Sequence, residues 1–331
     1  MLAIVHHGFL SLTNMTFTKY IEREQPHKGF FPLEWAVLAY MALTLIIVLF
    51  TATKLHNPDA MIWGRVRIAA VTVAMWLVYR LLPCRLTRML RVVVQMLMLG
   101  WWYTDTYNLN LLFPNHDPFF ASLDQQLFGC QPALLFAERF PQIIVSELMD
   151  LGYVSYYPII ALVLFWYFFR RYDEFERCAF IIMVSFFSFY VFYDLLPVTG
   201  PMYYYPAVGV DQVAKGVFPE VGNYFATHNV MMPSPGYTDG IFHQMLDAVH
   251  SEEHPTAAFP SSHVGVCVIC MMLLWRTRCR WLFIAMVPLA VLLCLATVYI
   301  RAHYAIDAIA GFVIGVAFYF LWSFVAKRAG Y

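Results

Sequence analysis

Three residues of this sequence have the types and the spacing to do chemistry together. His303 and Asp307 stand four positions apart in the run Tyr299-Ile-Arg-Ala-His-Tyr-Ala-Ile-Asp307, a separation that puts two side chains on one face of a helix. A carboxylate so placed can accept a hydrogen bond from one imidazole nitrogen, fix the tautomer, and leave the other nitrogen as a nucleophile or base. Upstream, Ala258-Phe-Pro-Ser-Ser-His263 leads into an apolar run. Pro260 stands where a helix begins, and Ser261 or Ser262 can cap it. A helix start offers unpaired N–H groups and a partial positive charge, which suit a phosphate, and His263 falls in its first turn. Taken singly, each segment also has a plain structural reading: a capped helix with an interfacial histidine, and a His–Asp pair tying helices together. Gly311 and Gly315 continue the second stripe as a G-x-x-x-G pair, the pattern of a close-packed helix seam in a membrane.

The elements that must position these residues are membrane helices. The chain has 331 residues, 61% hydrophobic and 13% charged, whereas soluble domains run at about 45–50% apolar and about 25% charged. The net charge is zero, which gives no footing for a nucleic-acid partner. A bilayer crossing needs about 20 apolar helical residues. Eight segments meet or approach that: Trp35–Thr53, Ile68–Pro83, Val92–Phe113, Leu151–Phe169, Cys178–Tyr193 with its extension to Leu196, Phe259–Trp275, Trp281–Ile300 and Ala308–Ala326. The expected fold is therefore all-α and polytopic, with about eight transmembrane helices. With a cytoplasmic N-terminus, fifteen of the 21 lysines and arginines fall on inner segments and six on outer ones, as the positive-inside rule requires. Both chemical segments then lie at the outer face. The opening MLAIVHHGFLSLTN lacks the basic region and cleavage site of a secretory signal, so residues 1–32 are expected to be a cytoplasmic lead-in.

At this point a resemblance becomes specific. Pro260-Ser-Ser-His263 and Arg301-x-His303-x-x-x-Asp307 resemble the second and third motifs of the type 2 phosphatidic acid phosphatase (PAP2) superfamily, in the same order and across a similar membrane hairpin. The resemblance implies a six-helix catalytic core, here 89–331, preceded by two additional transmembrane helices in 33–88. It implies that His303 attacks phosphorus, that Asp307 orients and charge-stabilises it, and that His263 protonates the leaving alkoxide and then activates the acceptor. Ser261, Ser262 and backbone N–H groups would hold the phosphoryl oxygens, and Arg301 would neutralise developing charge. No metal or other cofactor is implied, since histidine supplies the nucleophile. The phosphatase branch carries a Lys-x6-Arg-Pro motif that is missing here, and Thr297 stands where its third motif has an arginine. Leu196-Pro-Val-Thr-Gly-Pro-Met-Tyr-Tyr204, Leu123-Asp-Gln-Gln-Leu-Phe-Gly-Cys-Gln-Pro132 and Ala258-Phe-Pro-Ser-Ser-His263 look instead like segments of the inositol phosphorylceramide synthase branch.

The expected function is thus a membrane phosphotransferase that moves a phosphorylated head group, phosphoinositol by that resemblance, from a phospholipid donor to a lipid hydroxyl such as that of ceramide. A lipid phosphate phosphatase would use the same histidines with water as acceptor. A lipid transporter or flippase is the reading from another class, but no inverted repeat or pair of matched broken spans supports it. Outer segments without glycosylation sequons point to a bacterial inner membrane and its periplasmic side over a Golgi lumen. His243, His250 and His254 make a possible metal cluster without a convincing third ligand, and are read as a solvated polar loop. The seven cysteines are scattered, and Cys267-x-x-Cys270 lies in an apolar run, as small buried side chains do.

Overall fold

In the computed structural model the described residues are 18–251 and 253–331, so residues 1–17 of the expected lead-in lie outside them. Fifteen helices and no strand occur among the described residues. The residues up to Ala52 with Asn57–Gly100 form one compact unit, and Thr53–His56 with Trp101–Tyr331 a second.

The first unit contains α1 (Pro32–Thr51), α2 (Pro58–Leu81) and α3 (Arg85–Leu97). Proline at the first position starts α1 and α2, where its fixed φ suits the helix and its missing N–H costs nothing. Glu34 of α1 and Arg91 of α3 form a fully buried ion pair. The guanidinium also lies 3.8 Å over the ring of Phe31, so the charges are compensated by each other and by an aromatic face.

The second unit opens with most of α4 (Leu99–Asn110) and continues through α5 (Asp117–Phe128), α6 (Pro132–Arg139), α7 (Ile143–Val154), α8 (Tyr156–Arg170), α9 (Phe175–Leu195), α10 (Pro201–Val208), α11 (Val210–Ala214), α12 (Ile241–His250), α13 (Ser262–Arg276), α14 (Arg280–Tyr299) and α15 (Ala305–Arg328). Within it α13 packs on α15, α14, α8 and α9, and α7 packs on α14 and α12. Most of α9 is buried. By contrast α15 exposes Phe312, Val313, Phe320 and Phe324, and α14 exposes Trp281, Ile284 and Val291. Such outward apolar faces fit lipid as the surrounding solvent.

The eight expected segments are all helical, but not all are straight crossings. Helices spanning Pro32–Lys54, Pro58–Leu81, Tyr172–Leu195, Arg280–Tyr299 and Ala305–Arg328 are long and apolar enough to cross a membrane, and α7 with α8 is so only as a pair, bent by 48°. Helix α13 is apolar but has 15 residues. The expected Val92–Phe113 span is broken at Met98 into α3 and α4. The second piece is polar, since α4 buries Asp105, Thr106 and Asn110.

Two glycines decide how α13 and α15 meet. A β-carbon on Gly311 would lie 2.3 Å from the Ser261 carbonyl oxygen, and one on Gly315 would lie 2.6 Å from that of Gly265. The expected G-x-x-x-G seam therefore packs against the helix that carries His263. Gly315→Val should destabilise the protein by about 1–3 kcal/mol through overpacking, whereas Val313→Leu, 61% exposed, should not. Thermal midpoints in detergent would show this, and an unchanged midpoint for Gly315→Val would mean the helices do not meet there.

Candidate active site

The short turn between α14 and α15 carries His303, and three segments hold that turn. Its own backbone closes through the His303 N–H donating to the Thr297 carbonyl at 3.0 Å. Arg301 sits in the left-handed region at φ 71°, a conformation costing a residue with a β-carbon roughly 1–2 kcal/mol. The Arg301 carbonyl accepts from the Met202 N–H at 2.9 Å. Gly200, at φ 89°, makes the approach possible, since a β-carbon there would lie 2.5 Å from the Ala302 carbonyl oxygen.

Two buried aspartates fasten this arrangement. Asp117 accepts from the Thr199 N–H at 2.7 Å, the Thr199 hydroxyl at 2.8 Å, the Gly200 N–H at 2.8 Å and the Tyr304 hydroxyl at 2.9 Å. Asp124 accepts from the N–H groups of Ala305 and Ile306 at 2.8 and 3.0 Å. It thus caps α15 from another helix, where a carboxylate also matches the positive end of the helix dipole. The two leading amides of α15 are consequently occupied by Asp124.

His303 is 3% exposed, and its Nδ1 lies 2.7 Å from the Ala258 carbonyl oxygen. A carbonyl only accepts, so Nδ1 carries the proton and Nε2 is left with its lone pair. The sequence expectation that His303 and Asp307 share one helix face needs correcting. Helix α15 begins at Ala305, so His303 lies just before it. Asp307 Oδ2 is 3.7 Å from Nδ1 and instead accepts from the Tyr304 N–H at 2.9 Å. The other oxygen, Oδ1, is buried and has no hydrogen-bond partner among the described residues. Tautomer and orientation of His303 therefore rest on Ala258, with the Asp307 carboxyl 3.7 Å away.

His263, in the first turn of α13, has its ring centroid 5.7 Å from that of His303. Tyr153 stacks on it at 4.6 Å and Tyr156 lies at 4.3 Å. These tyrosines flank Ser155, where α7 bends into α8. Ser261 caps α13, its hydroxyl accepting from the Val264 N–H at 3.3 Å. The Ser262 N–H donates to the Tyr193 hydroxyl at 3.0 Å, and that hydroxyl donates to the Pro260 carbonyl at 3.0 Å. Ser261 and Ser262 are both buried. The Arg301 guanidinium donates to the Pro233 carbonyl at 3.2 Å, and its buried Nε has no hydrogen-bond partner among the described residues. Thr297 bonds the Cys294 carbonyl at 2.9 Å and offers no positive charge.

The histidines read as a solvated loop are placed otherwise. His243 and His250 are buried with Leu246 on one side of α12, while Ile241 and Met245 are exposed. His243 Nδ1 pairs with Asp150 at 3.1 Å, and His250 Nδ1 lies 3.3 Å from the Ser234 hydroxyl. Among the described residues no group of three His, Cys, Asp or Glu could hold a metal ion. Cys267 and Cys270 are buried in α13. Sequence reasoning missed Asp117, Asp124, Ala258, Tyr153 and Tyr156. Asp124 and Ala258 lie in segments quoted for the resemblance, but nothing local ties Asp124 to a helix start so distant in sequence, or the Ala258 carbonyl to His303.

Burial pushes both His303 and His250 down to about 4, against about 6.5 for an exposed histidine. Between those values the unfolded chain binds more protons than the folded one, so stability falls as pH drops from about 6.5 toward about 4. Thermal midpoints across that window should decline, and the His250→Gln variant should decline less. Equal slopes for both proteins would contradict a neutral, buried His250.

A family model described as the PAP2 superfamily matches residues 119–321. No curated protein and no solved structure matches the chain.

Proposed function

The chain belongs to the PAP2 superfamily, and from that premise we propose that it is a membrane phosphotransferase in which His303 is the nucleophile and a lipid hydroxyl the acceptor. Membership supports lipid phosphatase or phosphotransferase chemistry in general. The observation that carries the specific reading is the pinned His303: Nδ1 held by the Ala258 carbonyl at 2.7 Å, with the His263 ring 5.7 Å away. An imidazole fixed in that way presents Nε2 at no reorganisation cost.

In the first step Nε2 of His303 attacks the phosphorus of the donor. The bond from phosphorus to the glycerol oxygen breaks, and protonated His263 gives its proton to the departing diacylglycerol alkoxide. The head group stays on phosphorus as a phosphohistidine diester. In the second step the acceptor hydroxyl attacks phosphorus, its proton passes to His263, and the nitrogen–phosphorus bond breaks. Asp307 offsets the positive charge that His303 acquires as it bonds to phosphorus. Arg301, Ser261 and Ser262 are the donors that this reading assigns to the phosphoryl oxygens.

The donor in this reading is a phosphoinositol lipid and the acceptor a sphingoid hydroxyl such as that of ceramide. The side is the non-cytoplasmic face of a bacterial inner membrane, supported by the excess of lysine and arginine on the opposite segments. Water in place of the lipid hydroxyl would make the same site a phosphatase. Incubation with labelled phosphatidylinositol, with and without ceramide, separates the two. Label in a new lipid is expected, and label released only to water would establish the phosphatase instead.

Purified protein should form an acid-labile adduct on His303, and full turnover by His303→Ala would sink the mechanism. Asp307→Asn should cost roughly 10²-fold in kcat, as loss of one electrostatic stabiliser does. Loss of the tautomer costs roughly 10⁴-fold in serine protease triads, and a fall of that size here would mean that Asp307, not Ala258, sets the tautomer.

A further inference from the structure

The helix ends farthest from the histidines enclose a cavity of their own. Helix α8 starts beside His263, with the Tyr156 ring 4.3 Å from it, and runs to Arg170. Helix α13 carries His263 in its first turn and runs to Arg276. At about 1.5 Å of rise per residue, both helices end roughly 20 Å from the candidate active site. Between those ends opens a cavity of about 450 Å³, lined by Trp166, Arg170, Arg171, Asp173, Glu174 and Thr277.

The charges of this cavity fall into two sets. Arg171 pairs with Glu174 and also donates to the Thr277 carbonyl at 3.2 Å. The other Glu174 oxygen accepts from Arg276 at 3.1 Å. That set is satisfied within the protein, and it ties the end of α8 to the end of α13. Arg170 and Asp173 stand three positions apart, yet neither side chain makes an ion pair or a hydrogen bond among the described residues. Arg170 leans instead over the Trp166 ring, 5.8 Å from its centroid. One cation and one anion thus line the same cavity with their hydrogen-bonding groups open. A simple anion or cation would answer one of them and repel the other, whereas a zwitterion answers both.

The cavity also opens beside a lipid-facing wall. Trp166 meets Trp281 of α14 edge to face at 5.8 Å. Trp281 is exposed, and Ile284, Val287 and Val291 continue the exposed apolar stripe along α14, away from the cavity. Tryptophans at the level of the head groups, with an apolar track beyond them, are the surroundings of a bilayer lipid.

We infer that this cavity binds the phosphoethanolamine head group of a membrane phospholipid, in the leaflet at this end of the helices. Arg170 takes the phosphate, which a guanidinium fork fits well, and Asp173 takes the primary ammonium. The acyl chains follow the α14 stripe. Basic pockets between helix ends are a general site for phospholipid head groups, and the open carboxylate narrows the choice. Phosphatidylglycerol would leave Asp173 facing an anion, and the trimethylammonium of phosphatidylcholine has no N–H to donate to it. The site is separate from phosphotransfer, since none of its residues reaches the histidines.

The test uses the full-length protein, stripped in detergent and then given phosphatidylethanolamine, phosphatidylglycerol or phosphatidylcholine with the same acyl chains. Native mass spectrometry reads the affinity of the first lipid retained. The wild type should hold phosphatidylethanolamine about 5-fold more tightly than either of the others, the worth of one charge at a lipid surface. Arg170→Gln should weaken all three by a similar factor. Asp173→Asn should weaken phosphatidylethanolamine alone and strengthen phosphatidylglycerol, so that the preference reverses. Both positions are exposed, so neither substitution disturbs the core. Equal retention of the three lipids by the wild type, or retention unchanged in both variants, would mean ordinary annular lipid and overturn the site. A wild type that prefers phosphatidylglycerol would overturn the zwitterion assignment. Soluble phosphoethanolamine bound as tightly as the lipid would overturn the lipid assignment.

Discussion

The first turn of α15 is held by carboxylates that arrive from distant parts of the chain, and the place of His303 depends on them. Asp124 takes the two leading amides of that helix, and Asp117 takes the hydroxyl of Tyr304 together with the backbone of Thr199 and Gly200. A buried carboxylate is costly unless most of its lone pairs are engaged. Asp117 meets that condition, and each charge-assisted bond is worth roughly 1.5–3 kcal/mol. The result is that α5, the 197–200 segment and the 300–304 turn behave as one fastening. His303 is carried by that fastening and not by a helix of its own.

A division of labour follows from where its proton sits. If a carboxylate alone held Nδ1, orientation and charge compensation would reside in one group. Here the Ala258 carbonyl orients, and Asp307, 3.7 Å away, is free of that task and is left, in the proposed mechanism, to compensate charge. A carbonyl cannot take the proton, so the ring keeps one tautomer through any change in charge. Ala258 is itself fixed, its N–H donating to the Val198 carbonyl at 2.9 Å. The Ser261 N–H donates to the Asp307 carbonyl at 3.1 Å, and Gly311 lies directly against Ser261. The two histidine-bearing segments are therefore joined by backbone contacts, which hold a distance better than long side chains do.

Much of this could be read in the sequence, and what could not has identifiable causes. The pairing of His263 with His303 was legible because each sits in a short run whose residue types serve one purpose. The α13–α15 seam was legible because Gly311 and Gly315 repeat at helical spacing. The link from His303 to Asp307 was misread because spacing of i, i+4 presumes a continuous helix, and Asp124 starts the helix two residues later. Asp117 and Asp124 were illegible as caps, since their partners lie more than 80 positions away. His243 and His250 look solvated in sequence because the groups that satisfy them, Asp150 and Ser234, come from elsewhere. The break of Val92–Phe113 is hidden by mean apolarity, which does not weigh the buried Asp105, Thr106 and Asn110 near one end.

The bend at Ser155 has a further meaning. A straight helix would present Tyr153 and Tyr156 as neighbours on one face. The 48° bend instead lets both rings close on His263, at 4.6 and 4.3 Å. With its flanks covered in this way, the imidazole meets a reactant chiefly along its edge. A phosphohistidine is exposed to hydrolysis for as long as it waits for its acceptor, and a transferase is only as good as its protection of that interval. If a lipid hydroxyl is the acceptor, the bend governs fidelity, because it sets how much of the acid–base a stray water can reach. On that view the distance between a transferase and a phosphatase in this fold is a matter of helix geometry more than of catalytic residues.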